Sequence, residues 1–193
     1  MRIRTGYSFK LAVGHLTDVM AQVKEIGYTK APITDRNSTF GFNKWTKLCK
    51  KNNIKPVYGV EIGVVKELGE KKPSPDYWTF IAINDIASIN ELVSLATANT
   101  NKEPVLTYDQ ALAQSGVIRI LGERIDLSSL PAVEDLPSHT YIGLSPSMSK
   151  MTYEATAGIP RMLVCDNVYP RIGDDEFYRV TLDRRASKQT YHQ

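Results

Sequence analysis

Histidine and cysteine, the side chains that most often hold transition metals, are scarce in this chain: three histidines and two cysteines among 193 residues. His15, His139 and His192 stand far apart, without H-E-x-x-H or similar spacing, and are expected on the surface. Cys49 and Cys165 make no C-x-x-C pair, so they read as buried thiols of a reducing compartment rather than as a disulfide. No apolar run reaches the length of a membrane span and no signal peptide opens the chain, which makes the cytoplasm the default and a membrane partner unexpected. G-x-S-x-G, the P-loop and a credible dinucleotide fingerprint are missing too. An excess of one charge is also lacking. With 24 basic and 21 acidic residues the net charge is +3, too mild to imply nucleic acid by itself.

What is present is an ordinary globular composition, 42% hydrophobic and 23% charged. It predicts a single domain over residues 1–193, with the last ~10 residues as a disordered tail. Strands and helices alternate. Residues 1–5 read as a short strand. Residues 15–26 read as a helix with Leu16, Val19, Met20, Val23 and Ile26 on one face, stopped by Gly27. Residues 30–34 form a strand, and residues 41–52 a helix with Phe42, Trp45, Leu48 and Cys49 inward and its lysines outward. Strands follow at 56–65 and 77–83, joined by a charged loop over 66–76. Asp85 caps a helix with Ile86, Ile89, Leu92, Val93 and Ala96 on its apolar face. Further strands are expected at 116–121, 140–144 and 160–165, an irregular stretch at 130–138, and a last helix over 174–184. Such alternation predicts an α/β fold with a mostly parallel sheet, and periodicity does not choose between an open sheet and a barrel. Tyr7, Trp45, Trp78 and Phe80 read as core or barrel wall.

Several motifs, in order, resemble the PHP (polymerase and histidinol phosphatase) domain at the N-terminus of bacterial DNA polymerase III alpha subunits, the C-family replicative polymerases. Tyr7-Ser8 runs without a gap to Lys24-Glu25-Ile26-Gly27. Ile33-Thr34-Asp35-Arg36-Asn37 with Phe40-Gly41 is similar to the family's Leu-Thr-Asp-His-Gly-Asn region. Asn53-Ile54-Lys55-Pro56-Val57-Tyr58-Gly59-Val60-Glu61 is the most specific stretch. Phe80 to Asp85 follows, then Gly158-Ile159-Pro160 and Cys165 to Tyr169. The resemblance implies a distorted parallel barrel of about seven strand–helix units as one domain.

Active members of that family bind a cluster of metals that activates water for phosphoester hydrolysis. Carried over residue by residue, the resemblance puts Arg2, Arg4 and Arg36 where histidines ligate, and Leu11 where an aspartate does. Tyr77 stands for a histidine, Glu123 for a cysteine, Asn167 for an aspartate and Tyr169 for a histidine, while Glu61 is retained. Arginine keeps its proton and does not ligate metals, and three guanidiniums in one pocket repel a divalent ion. The expectation is therefore no metal, no other cofactor and no catalytic residue. Arg2, Arg4, Arg36, Glu61 and Glu123 are expected to form an ion-pair cluster, with guanidinium charge in place of metal charge. Two alternatives stand beside it: arginines turned to solvent, and a vestigial pocket that holds a phosphate.

The resemblance implies a structural or protein-interaction role in DNA replication, with the polymerase core or a proofreading exonuclease as partner. The length accommodates no polymerase palm. A compact, diverged copy fits a phage protein that engages host replication machinery, or an excised domain of a larger polymerase. The rival readings are a phosphoesterase with a reduced site recruiting Asp35, Glu61, Glu123 and Asp166, and a nucleic-acid-binding module. For the latter, Lys44, Lys47 and Lys51, with Lys50 and Lys55, supply a basic stripe on and after the second helix, a pattern more often just a solvated face.

Overall fold

A computed structural model describes residues 2–8, 11–12, 14–69, 74–99, 103–145 and 148–164. The elements are α1 (Leu16–Glu25), β1 (Lys30–Ile33), α2 (Phe42–Lys51), β2 (Lys55–Val65), β3 (Asp76–Ala82), α3 (Ala87–Ala98), β4 (Val105–Thr107), α4 (Tyr108–Ala113), β5 (Val117–Leu121), β6 (Thr140–Leu144), α5 (Lys150–Ala155) and β7 (Arg161–Leu163). Two 3-10 turns, Leu127–Ser129 and Val133–Asp135, lie in the stretch between β5 and β6. No described helix is long and apolar enough to cross a membrane.

The seven strands form one curled, half-barrel sheet in the order β1-β2-β3-β5-β6-β7. β2 is long enough to take two partners on one edge: β1 along residues 55–58 and β4 along residues 63–65. Its other edge carries β3. The expected parallel sheet needs a correction at β3, which runs antiparallel to both β2 and β5. The cause is the connection. The connection from Val65 to Asp76 is short, and no helix lies among its described residues, whereas a parallel neighbour requires a long crossover. The resulting fold is mixed α/β.

Helix ends follow local chemistry. Gly27, at φ 83°, closes α1 in a Schellman turn, with Tyr28 N–H donating to the Val23 carbonyl at 3.1 Å and Gly27 N–H to that of Lys24 at 3.0 Å. Asn53, at φ 57°, does the same for α2, with Ile54 N–H reaching the Cys49 carbonyl at 3.0 Å. Thr107 and Gln110 make a reciprocal capping box on α4.

The core gathers Trp45, Trp78, Phe80, Ile33, Ile62, Ile89, Leu92 and Ile142 where the helices cover the sheet. Trp45, Trp78 and Phe80 are buried as expected, and Tyr7 is half-buried. Cys49 is buried, and its thiol is pushed up to about 11 by that burial. His15 and His139 are exposed.

Three local expectations are corrected. Residues 2–5 make only a bridge at Arg2 rather than a strand, because Ile3 trades its hydrogen bonds with Thr34 through both backbone and hydroxyl. Ile26 is exposed, since it caps α1 and lies past the face that packs. Asp76 belongs to β3 rather than to the loop before it. The helix expected over 174–184, together with Cys165, Asp166, Asn167, Tyr169, His192 and the tail, lies outside the described residues.

Candidate functional site

The site forms where β1 ends, a position where open α/β sheets commonly carry their ligands. Just beyond Ile33, Arg36 makes an isolated parallel bridge with Glu61 in the middle of β2. Glu61 N–H donates to the Asp35 carbonyl at 3.1 Å, and Asn37 N–H donates to the Glu61 carbonyl at 2.9 Å. The backbone thus fixes Arg36 opposite Glu61 before any side chain acts. On the far side, the N-terminal segment runs past Thr34, whose N–H donates to the Ile3 carbonyl at 2.8 Å. Ile3 goes into the core, and its extended neighbours Arg2 and Arg4 turn the other way.

Three arginines converge on Glu61, which is 1% exposed. Arg4 is bidentate, Nε to Oε2 at 3.0 Å and Nη2 to Oε1 at 2.8 Å. Arg36 is bidentate too, Nε to Oε2 at 2.9 Å and Nη2 to Oε1 at 3.0 Å. Arg2 adds Nη1 to Oε1 at 3.4 Å. Burial would raise the Glu61 carboxyl, but the hydrogen bonds and charges of Arg36 and Arg4 outweigh it and hold it below its ordinary value. Tyr77 lies under the outer side of Arg36, with the guanidinium carbon 3.7 Å from the ring centroid. Its hydroxyl donates to Glu103 Oε2 at 3.1 Å, and burial with the Glu103 charge pushes it up to about 12.

These groups surround a cavity of about 270 Å3, lined by Arg2, Arg4, Arg36 and Arg124 and by Glu61, Asp76 and Glu123. Of the residues predicted from sequence, Arg2, Arg4, Arg36 and Glu61 are in direct contact, and Glu123 and Tyr77 line the same space. Leu11 lies in the adjoining cavity of about 710 Å3, which shares Arg36 and Tyr77 with this one. Asp35 faces elsewhere. Its carboxylate accepts from Thr5 N–H at 2.6 Å, the Thr5 hydroxyl at 2.8 Å and the Ser8 hydroxyl at 2.6 Å. Burial nevertheless pushes it upward. Lys44, Lys47 and Lys51 are exposed on α2 and are not among the described residues that line the arginine cavity.

Sequence reasoning overlooked Asp76 and Arg124. Asp76 accepts from Trp78 Nε1 at 2.8 Å and Arg124 N–H at 3.0 Å. Burial raises its carboxyl, with the neighbouring Glu123 charge in the same direction. Gly122 packs so closely on that carboxylate that a side chain there would collide with it. The available signal was the Asp-x-Trp spacing, which sets both side chains on one face at the start of a strand.

Chemically the donor set does not fit a metal centre. Glu61, whose position the resemblance gives as a ligand, already has both oxygens engaged by fixed cations. Among the described residues no three histidine, cysteine, aspartate or glutamate side chains come together in a way that could hold an ion. The arrangement is suited to neutralising a buried carboxylate and locking the N-terminal segment onto β1 and β2.

No sequence among the curated proteins matches the chain. A solved amidohydrolase from Chromobacterium violaceum, with bound sulfate and no metal, overlays with a TM-score of 0.56 across 88% of this chain and 87% of that one, at 10% identity. That likeness shows the fold alone. A protein of Bifidobacterium adolescentis described as a metal-dependent phosphoesterase overlays over 50% of this chain at 14% identity, with a TM-score of 0.36, too low to carry weight. This chain covers 32% of that protein's length. The decisive likeness is in sequence: residues 1–131, which hold Arg2, Arg4, Arg36, Glu61 and Glu123, match the PHP domain, and the chain belongs to that family.

Proposed function

We propose that this chain is a catalytically inactive PHP domain, with a structural or protein-interaction role in DNA replication akin to that of the domain in DNA polymerase III alpha subunits. The observation that carries the reading is Glu61, a buried carboxylate clasped by Arg4 and Arg36 in two bidentate pairs and approached by Arg2. Three fixed positive charges occupy the positions that the resemblance assigns to ligating histidines. A divalent ion entering there would face their repulsion and would have to displace charge-assisted hydrogen bonds from the carboxylate it needs. With no site to activate water, the domain keeps its fold as a scaffold. The replication assignment rests on the order of motifs from Tyr7-Ser8 through Asn53–Glu61 to Gly158-Ile159-Pro160.

The test has two arms. Elemental analysis of the purified protein, with a phosphoester assay in manganese or zinc, is expected to give no stoichiometric metal and no hydrolysis. Metal and activity appearing together would establish the reduced phosphoesterase instead. Affinity capture from cells containing the replicative polymerase and its exonuclease is expected to retain one of them, and recovery of neither would remove the replication role.

A further inference from the structure

Away from the arginines, a cavity of about 740 Å3 opens between the N-terminal turn, the start of α1 and the outer face of α2. Tyr7, Ala12, Leu16 and Leu48 give it an apolar floor, and Lys44 and Lys47 stand at its rim. Among the described residues no carboxylate lines it, and α2 itself, FNKWTKLCKK, carries four lysines and no acid. The Lys44 ammonium sits 5.8 Å from the Tyr7 ring centroid, which keeps it over the opening. Lys44, Lys47 and Lys51 recur at three- and four-residue spacing with Leu48 between them, so they share one helix face. Lys51 lies one turn beyond the cavity, and the cationic row extends about 10 Å along α2.

We propose that this groove docks an acidic peptide segment of a partner protein. One apolar side chain of that segment enters the cavity, and its carboxylates lie along Lys44, Lys47 and Lys51. The two halves of the surface select this occupant together. A nucleic-acid backbone would satisfy the lysines but has no apolar group for Leu16 and Leu48. A small anion would pair with Lys44 or Lys47 yet leave the apolar floor uncovered and Lys51 unused. An extended or helical acidic peptide with a single anchor meets both, the usual grammar of groove recognition. This names the partner chemistry of the interaction role proposed above and rests on that reading.

Selection of a phage-displayed random peptide library of roughly a dozen residues on the full chain tests it, at a length chosen to span the row of lysines. Acidic sequences with one leucine or aromatic anchor are expected. Their affinity should fall at least about tenfold for the doubly substituted K44E/K47E protein, and similarly when the anchor is changed to serine. Both lysines are exposed, and an unchanged circular dichroism spectrum checks the fold of the variant. Enrichment without acidic residues, equal binding to K44E/K47E, or indifference to the anchor would overturn the proposal. So would a mixed-sequence oligonucleotide that binds through the same lysines and displaces the peptides. Failure here leaves the Glu61 cluster untouched, whereas bound metal with hydrolytic activity would remove the inactive-scaffold reading whatever the peptides do.

Discussion

Glu61 and Asp35 are neighbours joined by a backbone hydrogen bond of 3.1 Å, and each is 1% exposed, yet their surroundings shift them in opposite directions. Glu61 meets guanidiniums. Their hydrogen bonds, Arg36's first, together with their fixed charge favour the carboxylate and overcome burial. Asp35 meets only the hydroxyls and amides of Thr5 and Ser8, whose dipoles are too weak to offset the loss of water. The difference lies in the donors: charged guanidiniums, through their hydrogen bonds and their charge, hold the buried Glu61 carboxyl down, whereas neutral donors leave the buried Asp35 carboxyl up. One region is an ion-pair lock, and the other is a polar clasp that orders the turn after residue 5.

The sharpest way to break this contrast is to remove the acid at its centre. Glu61→Ala leaves Arg2, Arg4 and Arg36 facing one another in a mostly buried space, and should cost about 3–5 kcal/mol, read as a large fall in the urea midpoint or loss of folding. Arg36→Ala removes two charge-assisted bonds and the stack on Tyr77 but leaves Arg4 in place. Its side chain is 21% exposed, so the expected loss is smaller, about 2 kcal/mol. An unmoved midpoint for that variant would mean the arginines do not act as a cluster.

Titration sharpens the comparison further. The folded pKa of Glu61 is lowered, so its stabilisation is present above the ordinary carboxylate value and disappears as pH falls through the folded one. Asp35 is raised, so its contribution is complete below the ordinary value and is lost as pH rises through the folded one. Asp35→Asn should therefore gain stability relative to the parent as pH rises across that window, while Arg36→Ala should lose least relative to the parent at the acid end. Urea midpoints from acid to neutral pH check both slopes, and parallel profiles would contradict the contrast. Smallest of all, K44E/K47E should stay within about 0.5 kcal/mol of the parent, because neither lysine belongs to either buried network.

The cluster was reached from the sequence through the resemblance, which sets Arg2, Arg4, Arg36 and Glu61 at one group of ligand positions, and backbone placement explains why the four side chains meet. Arg2 and Arg4 flank the core residue Ile3, and the Asp35-Arg36 and Val60-Glu61 steps end or cross adjacent parallel strands. Helices with a full apolar face, such as α1 and α2, were equally plain. The reversal at β3 was not, because residues 76–82 have the same alternation whichever way the strand runs, and only the shortness of the connection from Val65 to Asp76 gives the direction. The short β4 and α4 went unread although Thr107 and Gln110 spell a capping box, since three and six residues are too few to show a period. Asp76 escaped notice because it fell at the edge of a charged loop, where an acid ordinarily meets solvent.

The central claim is the proposal that guanidinium charge, and not a metal ion, neutralises the buried Glu61 carboxylate. Anomalous diffraction from crystals grown in millimolar manganese addresses it most directly. The account predicts no anomalous peak within bonding distance of Glu61, with Arg4 and Arg36 still paired to it. A manganese peak coordinated by Glu61, with the arginines swung aside, would contradict it.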